Sequence, residues 1–276
     1  MSEHAIRATA SVPLATDAGA PARAMSRTAL ARILAGLIIL GVWEAVVRAF
    51  APAYVAKPSG VIAALPQVLV DPAFLTATGV TLGAVAEGLV IAIVFGTVLG
   101  LAIGRSLIAE RMLRHYVNGF YAVPMVVVLP LLSLWFGYTG AARLATIVFA
   151  AIFVIIINVA DGARAVPRDY LEVARAFRSG RARMLFEIVL PAATPYFLAG
   201  LRLASGRALI GAVVAEFFTA IGGLGYYILF NSRTFHHNEA FVGVLVLAAF
   251  GVGFELLLNA STRRLLPWYR RDEKAD

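Results

Sequence analysis

The sequence contains no cysteine. A disulfide framework, a thiolate metal site and a cysteine nucleophile are therefore excluded. Charged residues are also scarce, at 14% of the chain against 61% hydrophobic residues. Soluble domains are about 25% charged, so too little polar surface is present to cover a globule of 276 residues. This composition excludes a soluble enzyme and a disordered protein, and it predicts an integral membrane protein.

Lysine is nearly absent as well, since the only two lysines are Lys57 and Lys274. A phosphate-binding P-loop requires glycine directly before its lysine, and neither lysine follows a glycine. We therefore expect any ATP hydrolysis on a separate subunit and no catalytic residue in this chain. The adjacent His236 and His237 lack the further ligands of a metal site, so no metal or cofactor is predicted.

Six apolar segments approach the length of about 20 residues that a transmembrane helix needs. They predict an all-α protein with six transmembrane helices, in which Pro124 and Pro130 kink the third span and a tight hairpin over 137–140 leads to the fourth. The spans cover residues 29–50, 78–104, 116–136, 142–160, 195–218 and 240–260. The transmembrane domain is therefore predicted over 29–262, between a disordered tail (1–28) and a basic tail (263–276).

Arginine placement gives these spans an orientation. The net charge of +8 is concentrated in the tails and in the second and fourth connections, whereas the alternate segments carry only Lys57, Arg143 and Arg233. Because cytoplasmic loops are enriched in Lys and Arg, both termini are predicted to be cytoplasmic. The positive charge is therefore attributed to membrane topology and lipid contact rather than to nucleic acid.

The longest loop on the predicted cytoplasmic side, residues 161–191, has the pattern of a short helix. Pro167 and Asp169 favour a helix start, and a second short amphipathic turn is expected to end at Pro191. Small residues beside the aromatic Phe177 suit insertion into a partner's groove. The same pattern is compatible with a helix lying on lipid headgroups, so the residues alone leave both interpretations open.

Glu172, Val173 and Ala174, followed at the expected spacing by the run from Ile188 to Pro191, resemble the EAA loop of bacterial ABC importer permeases. The stretches 57–61 and 200–226 resemble the branch of these permeases that serves sulfonates, taurine and nitrate. This resemblance implies a type I permease fold in the bacterial inner membrane, a homodimer, separate ATP-binding subunits and a periplasmic substrate-binding protein. It implies that the ATPase contact is made by Glu172, Ala174, Phe177, Arg178, Gly180, Ile188, Leu190 and Pro191.

One position departs from that family pattern. The family loop has glycine six residues after the glutamate, where this chain has Arg178, and the nearest glycine is Gly180. A left-handed backbone is unfavourable for arginine. Either the turn shifts to Gly180 or the loop has a different shape.

Charges within the spans require an explanation because each costs about 2.5–3.5 kcal/mol near the bilayer centre. Glu44 and Arg48, four residues apart, are expected to neutralise each other. For the remaining charges, two hypotheses stay open: they line a path for an anionic substrate, or they pair with one another and with helix ends to hold the bundle together. These candidates are Glu87, Arg202, Arg207 and Glu216.

Two smaller features lead to packing predictions. Gly96, Gly100 and Gly104 form a four-residue series that is expected to allow close helix contact. Asn158 is expected to form a hydrogen bond to another helix.

The main alternative in function is an ion-coupled secondary transporter. Such proteins often contain inverted repeats and broken helices, and no internal repeat is evident. The sequence predicts the permease subunit of an ATP-driven importer but does not select its solute among sulfonate, taurine, nitrate and pyrimidine-like compounds.

Overall fold

The structure is a computed structural model that describes residues 21–52 and 55–265. These residues form helices and short connections, without a strand among them. The helices are α1 (Pro21–Phe50), α2 (Pro58–Val70), α3 (Pro72–Arg105), α4 (Leu107–Ala122), α5 (Met125–Phe136), α6 (Gly140–Arg164), α7 (Arg168–Ala176), α8 (Arg181–Met184), α9 (Leu190–Thr219), α10 (Leu224–Arg233) and α11 (His237–Leu265), with a π-helical turn at Leu185–Val189.

Helix α1 belongs to one compact unit of the chain, and α2 to α11 form a second. Within α1, Arg48 Nε lies 2.6 Å from Glu44 Oε1, which confirms the predicted pair. The helix begins at Pro21, inside the range predicted as a disordered tail. Residues 1–20 of that tail and residues 266–276 of the basic tail lie outside the described residues.

Among the described residues, five helices are long and apolar enough to cross a membrane, and the bent pair α4–α5 brings the number to six. This agrees with the predicted all-α, six-span architecture. The third span differs from the prediction of a kinked rod, because α4 and α5 meet at an angle of 101°. The break falls at Pro124, whose ring prevents a continuous helix, whereas Pro130 is accommodated inside α5.

The core of the second unit lies where α6 is held between α3 and α9. The predicted glycine packing is confirmed: a Cβ atom on Gly96 would lie 2.9 Å from Ile155 Cγ2, and one on Gly100 would lie 2.7 Å from Val159 Cβ. Gly104 meets the backbone of Ala160 in the same way. Four-residue spacing places these glycines on one side of α3, so the two helix backbones approach closely.

Asn158 takes part in the contact of α6 with α9, but it does not form the predicted interhelical hydrogen bond. Its Nδ2 donates to Val154 O of its own helix at 2.8 Å. The side chain instead packs across the helix interface against Gly200 of α9, where a Cβ atom would lie 2.7 Å from Asn158 Cβ. A polar side chain that is satisfied within its own helix can pack against a glycine without a partner there.

The fifth span also starts differently from the prediction. A second turn ending at Pro191 and a span from residue 195 were expected, but the chain is helical from Arg181 to Thr219. Leu190 N donates to Leu185 O, five residues back, in the π-helical turn. Pro191 has no backbone N–H to donate, and the wider π-helical turn directly before it accommodates the missing hydrogen bond. The helix therefore continues across the proline.

A second hydrophobic cluster joins α2, α10 and α11 to the first turn of α3. Phe74 is buried in it and makes an edge-to-face contact with Tyr227, with ring centroids 5.2 Å apart. Val61, Leu224 and Val242 are also buried here. This cluster closes the end of the bundle opposite α7, since α3 and α9 both run from one end to the other.

Candidate functional site

Helix α7 lies within the predicted contact loop and has two different faces. Leu171 and Ala174 are buried, and Leu171 belongs to a cluster with Ala163 and Val189 at the end of the core. On the other side, Tyr170, Val173 and Phe177 are 62%, 55% and 81% exposed. The helix is therefore anchored by its small and aliphatic residues, and it presents an apolar face that nothing in the described part of the chain covers.

The turn after α7 decides between the two conformations left open by the sequence. Arg178 has a φ of +52°, whereas Gly180 is extended with φ −66° and ψ 158°. Ser179 N donates to Ala174 O and Arg178 N donates to Arg175 O, each at 2.9 Å. These two bonds form a Schellman motif, so the turn stays at Arg178 and does not shift to the glycine.

A groove of about 550 Å³ runs beside the exposed face of α7. It contains four of the eight predicted contact residues, namely Ala174, Phe177, Ile188 and Pro191. The other four do not line it, namely Glu172, Arg178, Gly180 and Leu190. Tyr170 and Val173 also line the groove; helical spacing from Phe177 was the signal that the sequence interpretation did not use.

An ion-pair network stands at the same end of the bundle and was not predicted. Glu110 Oε1 of α4 lies 3.0 Å from Arg114 Nη1 and 3.2 Å from Arg164 Nη2 of α6. Arg164 Nη1 is also 3.4 Å from Asp161 Oδ1. The network ties the start of the broken span to the end of α6, directly before α7.

Glu216 lies at the opposite end of the bundle and is fully buried, with none of its side chain exposed. Its Oε1 accepts hydrogen bonds from Thr81 Oγ1 at 2.8 Å and from Arg143 Nη1 at 3.2 Å. Its Oε2 accepts from Gly225 N at 2.7 Å, in the first turn of α10. The carboxylate therefore joins α3, α6 and α10 to α9, and it faces the positive end of α10.

The glycines after α9 allow this carboxylate to be covered closely. A Cβ atom on Gly223 would lie 2.2 Å from Glu216 Oε1, so no other residue fits without a shift. Arg143 Nη1 donates to Gly222 O at 3.0 Å, and Leu224 N donates to Thr81 Oγ1 at 2.7 Å. Glu216 was predicted as a path or pairing residue, and the structure places it in a closed structural network.

Arg202 and Arg207 of α9 are separated from Glu216 and from each other. Arg202 Nη2 donates to Asn259 Oδ1 of α11. Arg207 Nη2 donates to Tyr121 Oη at 2.9 Å, and its guanidinium carbon lies 4.4 Å from the centre of the Tyr121 ring. In the described part of the chain, neither arginine forms an ion pair with Glu87 or Glu216. The structure therefore does not contain the predicted pairs between these arginines and the two glutamates.

Glu87, the fourth intramembrane candidate, is exposed on α3. Its neighbour Gly88 packs on Ile147 in the α3–α6 contact, so Glu87 lies at the edge of that contact, and it is not among the hydrogen-bond partners of Glu216. The structure therefore separates the four charge candidates rather than bringing them together.

Comparison with known proteins identifies the class to which this architecture belongs. Residues 88–271 match the family described as the binding-protein-dependent transport system inner membrane component. The match covers more than half of the chain and includes α7, the groove, Glu216 and Arg143, whereas Thr81 lies before it. The chain belongs to this family, and it is the membrane-spanning permease subunit of an ABC importer.

Individual relatives agree with this assignment. The chain is 28% identical over 247 residues to the formylaminopyrimidine transport permease protein ThiX of Halalkalibacterium halodurans, covering 89% of this chain and 98% of the relative. It is 27% identical over 239 residues to the taurine transport system permease protein TauC of Escherichia coli, covering 84% and 87%. These relatives favour the permease over the ion-coupled transporter.

A solved structure shows the same fold at low sequence identity. The crystal structure of an amino acid ABC transporter with histidines aligns with a TM-score of 0.60 at 19% identity, covering 72% of this chain and 97% of the other. The described chain therefore shares its overall fold with a solved ABC transporter.

Proposed function

We propose that this chain imports a small solute of the sulfonate, taurine or nitrate type across the bacterial inner membrane, as a homodimer with both termini in the cytoplasm. An ATP-binding subunit docks on α7 and supplies the hydrolysis. A periplasmic substrate-binding protein delivers the solute to the opposite end, around α2 and α10. The transmembrane domain of this permease spans residues 29–262, and its contact loop lies at 161–191.

The observation that carries this proposal is the uncovered apolar groove along α7. A helix that lies on lipid presents a convex apolar ridge to the acyl chains. Here Ala174, Ile188 and Pro191 line a groove of about 550 Å³. A groove of this volume offers room for a projecting element of another protein, whereas acyl chains need only a convex apolar face. These features favour the partner interpretation over the lipid one.

Within the groove, Phe177 is the expected anchor. It is 81% exposed in the isolated chain, so its truncation removes contact area without opening the core. Aromatic anchors at interface centres typically contribute 2 kcal/mol or more. Glu172 and Arg178 do not line the groove, so their charges are expected mainly to set the orientation of the partner.

The test is the pair Phe177→Ala and Phe186→Ala. Phe186 is 65% exposed and is not among the groove residues, so it is a matched control. We expect Phe177→Ala to reduce copurification of the ATP-binding subunit by about 30-fold and to abolish ATP-dependent solute uptake. Phe186→Ala should retain both. Equal assembly by the two variants would show that α7 is not the docking surface.

Orientation is tested separately, and the absence of cysteine makes this simple. Single cysteines are introduced at Arg183 near α7 and at Tyr138 in the connection between α5 and α6. A membrane-impermeant maleimide should label the Tyr138 position in intact cells and the Arg183 position only after permeabilisation. Labelling of the Arg183 position in intact cells contradicts the proposed topology.

A further inference from the structure

The break in the third span opens a cavity in the membrane part of the bundle. Val123 and Pro124 lie outside α4 and α5, and both line a cavity of about 340 Å³. Val123 N donates to Phe120 O at 3.2 Å, and Val127 N donates to Pro124 O at 3.0 Å. Backbone that leaves a helix at membrane depth is tolerated where protein covers it or where it lines a water-filled space. Val123 and Pro124 are exposed, so the described part of the chain does not cover the break, and reagent access from water is what the experiment below measures.

Arg207 lies on the same cavity. It is in the middle third of α9, and its contacts are the hydroxyl and ring of Tyr121. Within the described residues it has no acidic partner, whereas Arg143 pairs with Glu216. A cation in a membrane span that is not neutralised by a carboxylate marks a functional position. The charge of Arg207 is therefore available to a ligand.

The other walls of the cavity are aromatic. Phe120 and Phe153 are stacked with centroids 5.7 Å apart, and Phe149 meets Phe153 edge-on at 5.1 Å. Met125, the first residue of the 12-residue α5, also lines the cavity, so the positive end of that helix adds to the field of Arg207. No acidic residue is among the lining residues. A volume of about 340 Å³ is at the small end of ligand pockets.

We propose that this cavity is a solute-binding site within the permease, which takes a small organic anion during its passage. Arg207 binds the anionic group, Tyr121 positions the guanidinium, and the Phe120–Phe153 wall contacts the carbon skeleton. The proposal rests on the import function proposed above. The two arginines of α9 then have different roles. Arg207 contacts the solute, and Arg202 connects α9 to α11 through Asn259.

The experiment uses the cysteine-free chain with Ala122→Cys, purified as the complex with its ATP-binding subunit. Ala122 is exposed and lines the cavity. Its labelling rate is measured with 2-sulfonatoethyl methanethiosulfonate, which is anionic, and with the trimethylammonium analogue, which is cationic, each relative to a small thiol in solution. We expect the anionic reagent to be favoured about tenfold, because a positive cavity concentrates anions. No transported solute has to be known.

Substitutions then assign the preference to one residue. Arg207→Gln should bring the ratio of the two rates close to one, and Arg207→Lys should retain most of the preference. Arg202→Gln should leave it unchanged. A Val90→Cys control on α3, 60% exposed and away from the cavity, should react slowly with both reagents.

Three results would overturn the proposal: an Ala122→Cys thiol that neither reagent reaches, the absence of an anion preference, or a preference that survives Arg207→Gln. Failure of the import function is recognised differently, since the ATP-binding subunit would then not copurify with the unsubstituted chain. The labelling ratio of the Ala122→Cys chain purified on its own can still be measured, so the two failures are distinguishable.

Discussion

Charged side chains are buried and paired around Glu216 at one end of the bundle, and they are exposed around α7 at the other end. Around Glu216 the carboxylate is fully buried, Arg143 is 12% exposed, and both oxygens of Glu216 accept hydrogen bonds from three different helices. Around α7 the pair of Arg183 and Glu187 is 68% and 62% exposed, and the apolar side chains point outward. The first arrangement fixes helices to one another, and the second leaves a surface for another protein.

The difference follows from the dielectric surroundings. A buried carboxylate stabilises the fold only when its donors are all in place, because removing one partner leaves an uncompensated charge away from water. Exposed pairs contribute little because water and salt screen them. We infer that the Glu216 network keeps α3, α6, α9 and α10 fixed to one another during transport, whereas the exposed face of α7 follows the movements of its partner.

The largest expected effect tests the buried end. Glu216→Ala leaves the Arg143 guanidinium and the amide of Gly225 without their acceptor. Breaking a buried pair in this way costs about 3–5 kcal/mol. We expect the purified protein to unfold at a much lower temperature in detergent, measured by the fluorescence of its three tryptophans.

The matched control at the other end is Glu187→Ala. It removes an exposed i,i+4 pair with Arg183, which is worth about 0.3–0.5 kcal/mol. The midpoint of unfolding should therefore hardly change. Comparable losses in the two variants would remove the distinction between a closed end and an open one.

The next effect concerns the α3–α6 contact that connects the two ends. A Cβ atom on Gly100 would lie 2.7 Å from Val159 Cβ and 2.9 Å from Ile156 O. Overpacking of this kind costs about 1–3 kcal/mol, so Gly100→Ala should lower the unfolding midpoint. At Gly79 of the same helix a Cβ atom meets nothing within 4 Å, and Gly79→Ala should raise the midpoint through helix propensity. A neutral Gly100→Ala would mean that the two helices separate easily.

What the sequence could predict is mostly local. Apolar length indicated the spans, four-residue spacing indicated the Glu44–Arg48 pair, and Pro167 with Asp169 indicated the start of α7. The partner of Glu216 was not predictable in this way. Arg143 is 73 residues distant and belonged by its position to an exterior connection, so only the packing of α6 against α9 reveals the pair.

The prolines in the sequence predicted where a helix could bend or end, but not the geometry at those positions. Pro124 predicted a bend but not an angle of 101°, since the angle depends on what α4 and α5 pack against. Pro191 predicts a boundary, whereas the helix continues through it after the π-helical turn at Leu185–Val189. Consequently the cavity beside Arg207 could not be foreseen, because the break that forms it was expected to be only a kink.

The smallest effect concerns a strained residue in the open end. Arg178 holds a left-handed conformation with φ +52°, which is unfavourable for a side chain with a Cβ atom. Arg178→Gly should stabilise the chain by about 0.5–1 kcal/mol, because the relief of strain exceeds the added entropy of the unfolded glycine. Thermal unfolding of the purified protein in detergent measures this change in stability. Arg175→Gly in helical α7 is the control, and its free energy of unfolding should fall by about 1 kcal/mol. If both variants lose stability, the Arg178 side chain makes contacts that outweigh its backbone strain, and α7 is held more firmly than the comparison of the two ends implies.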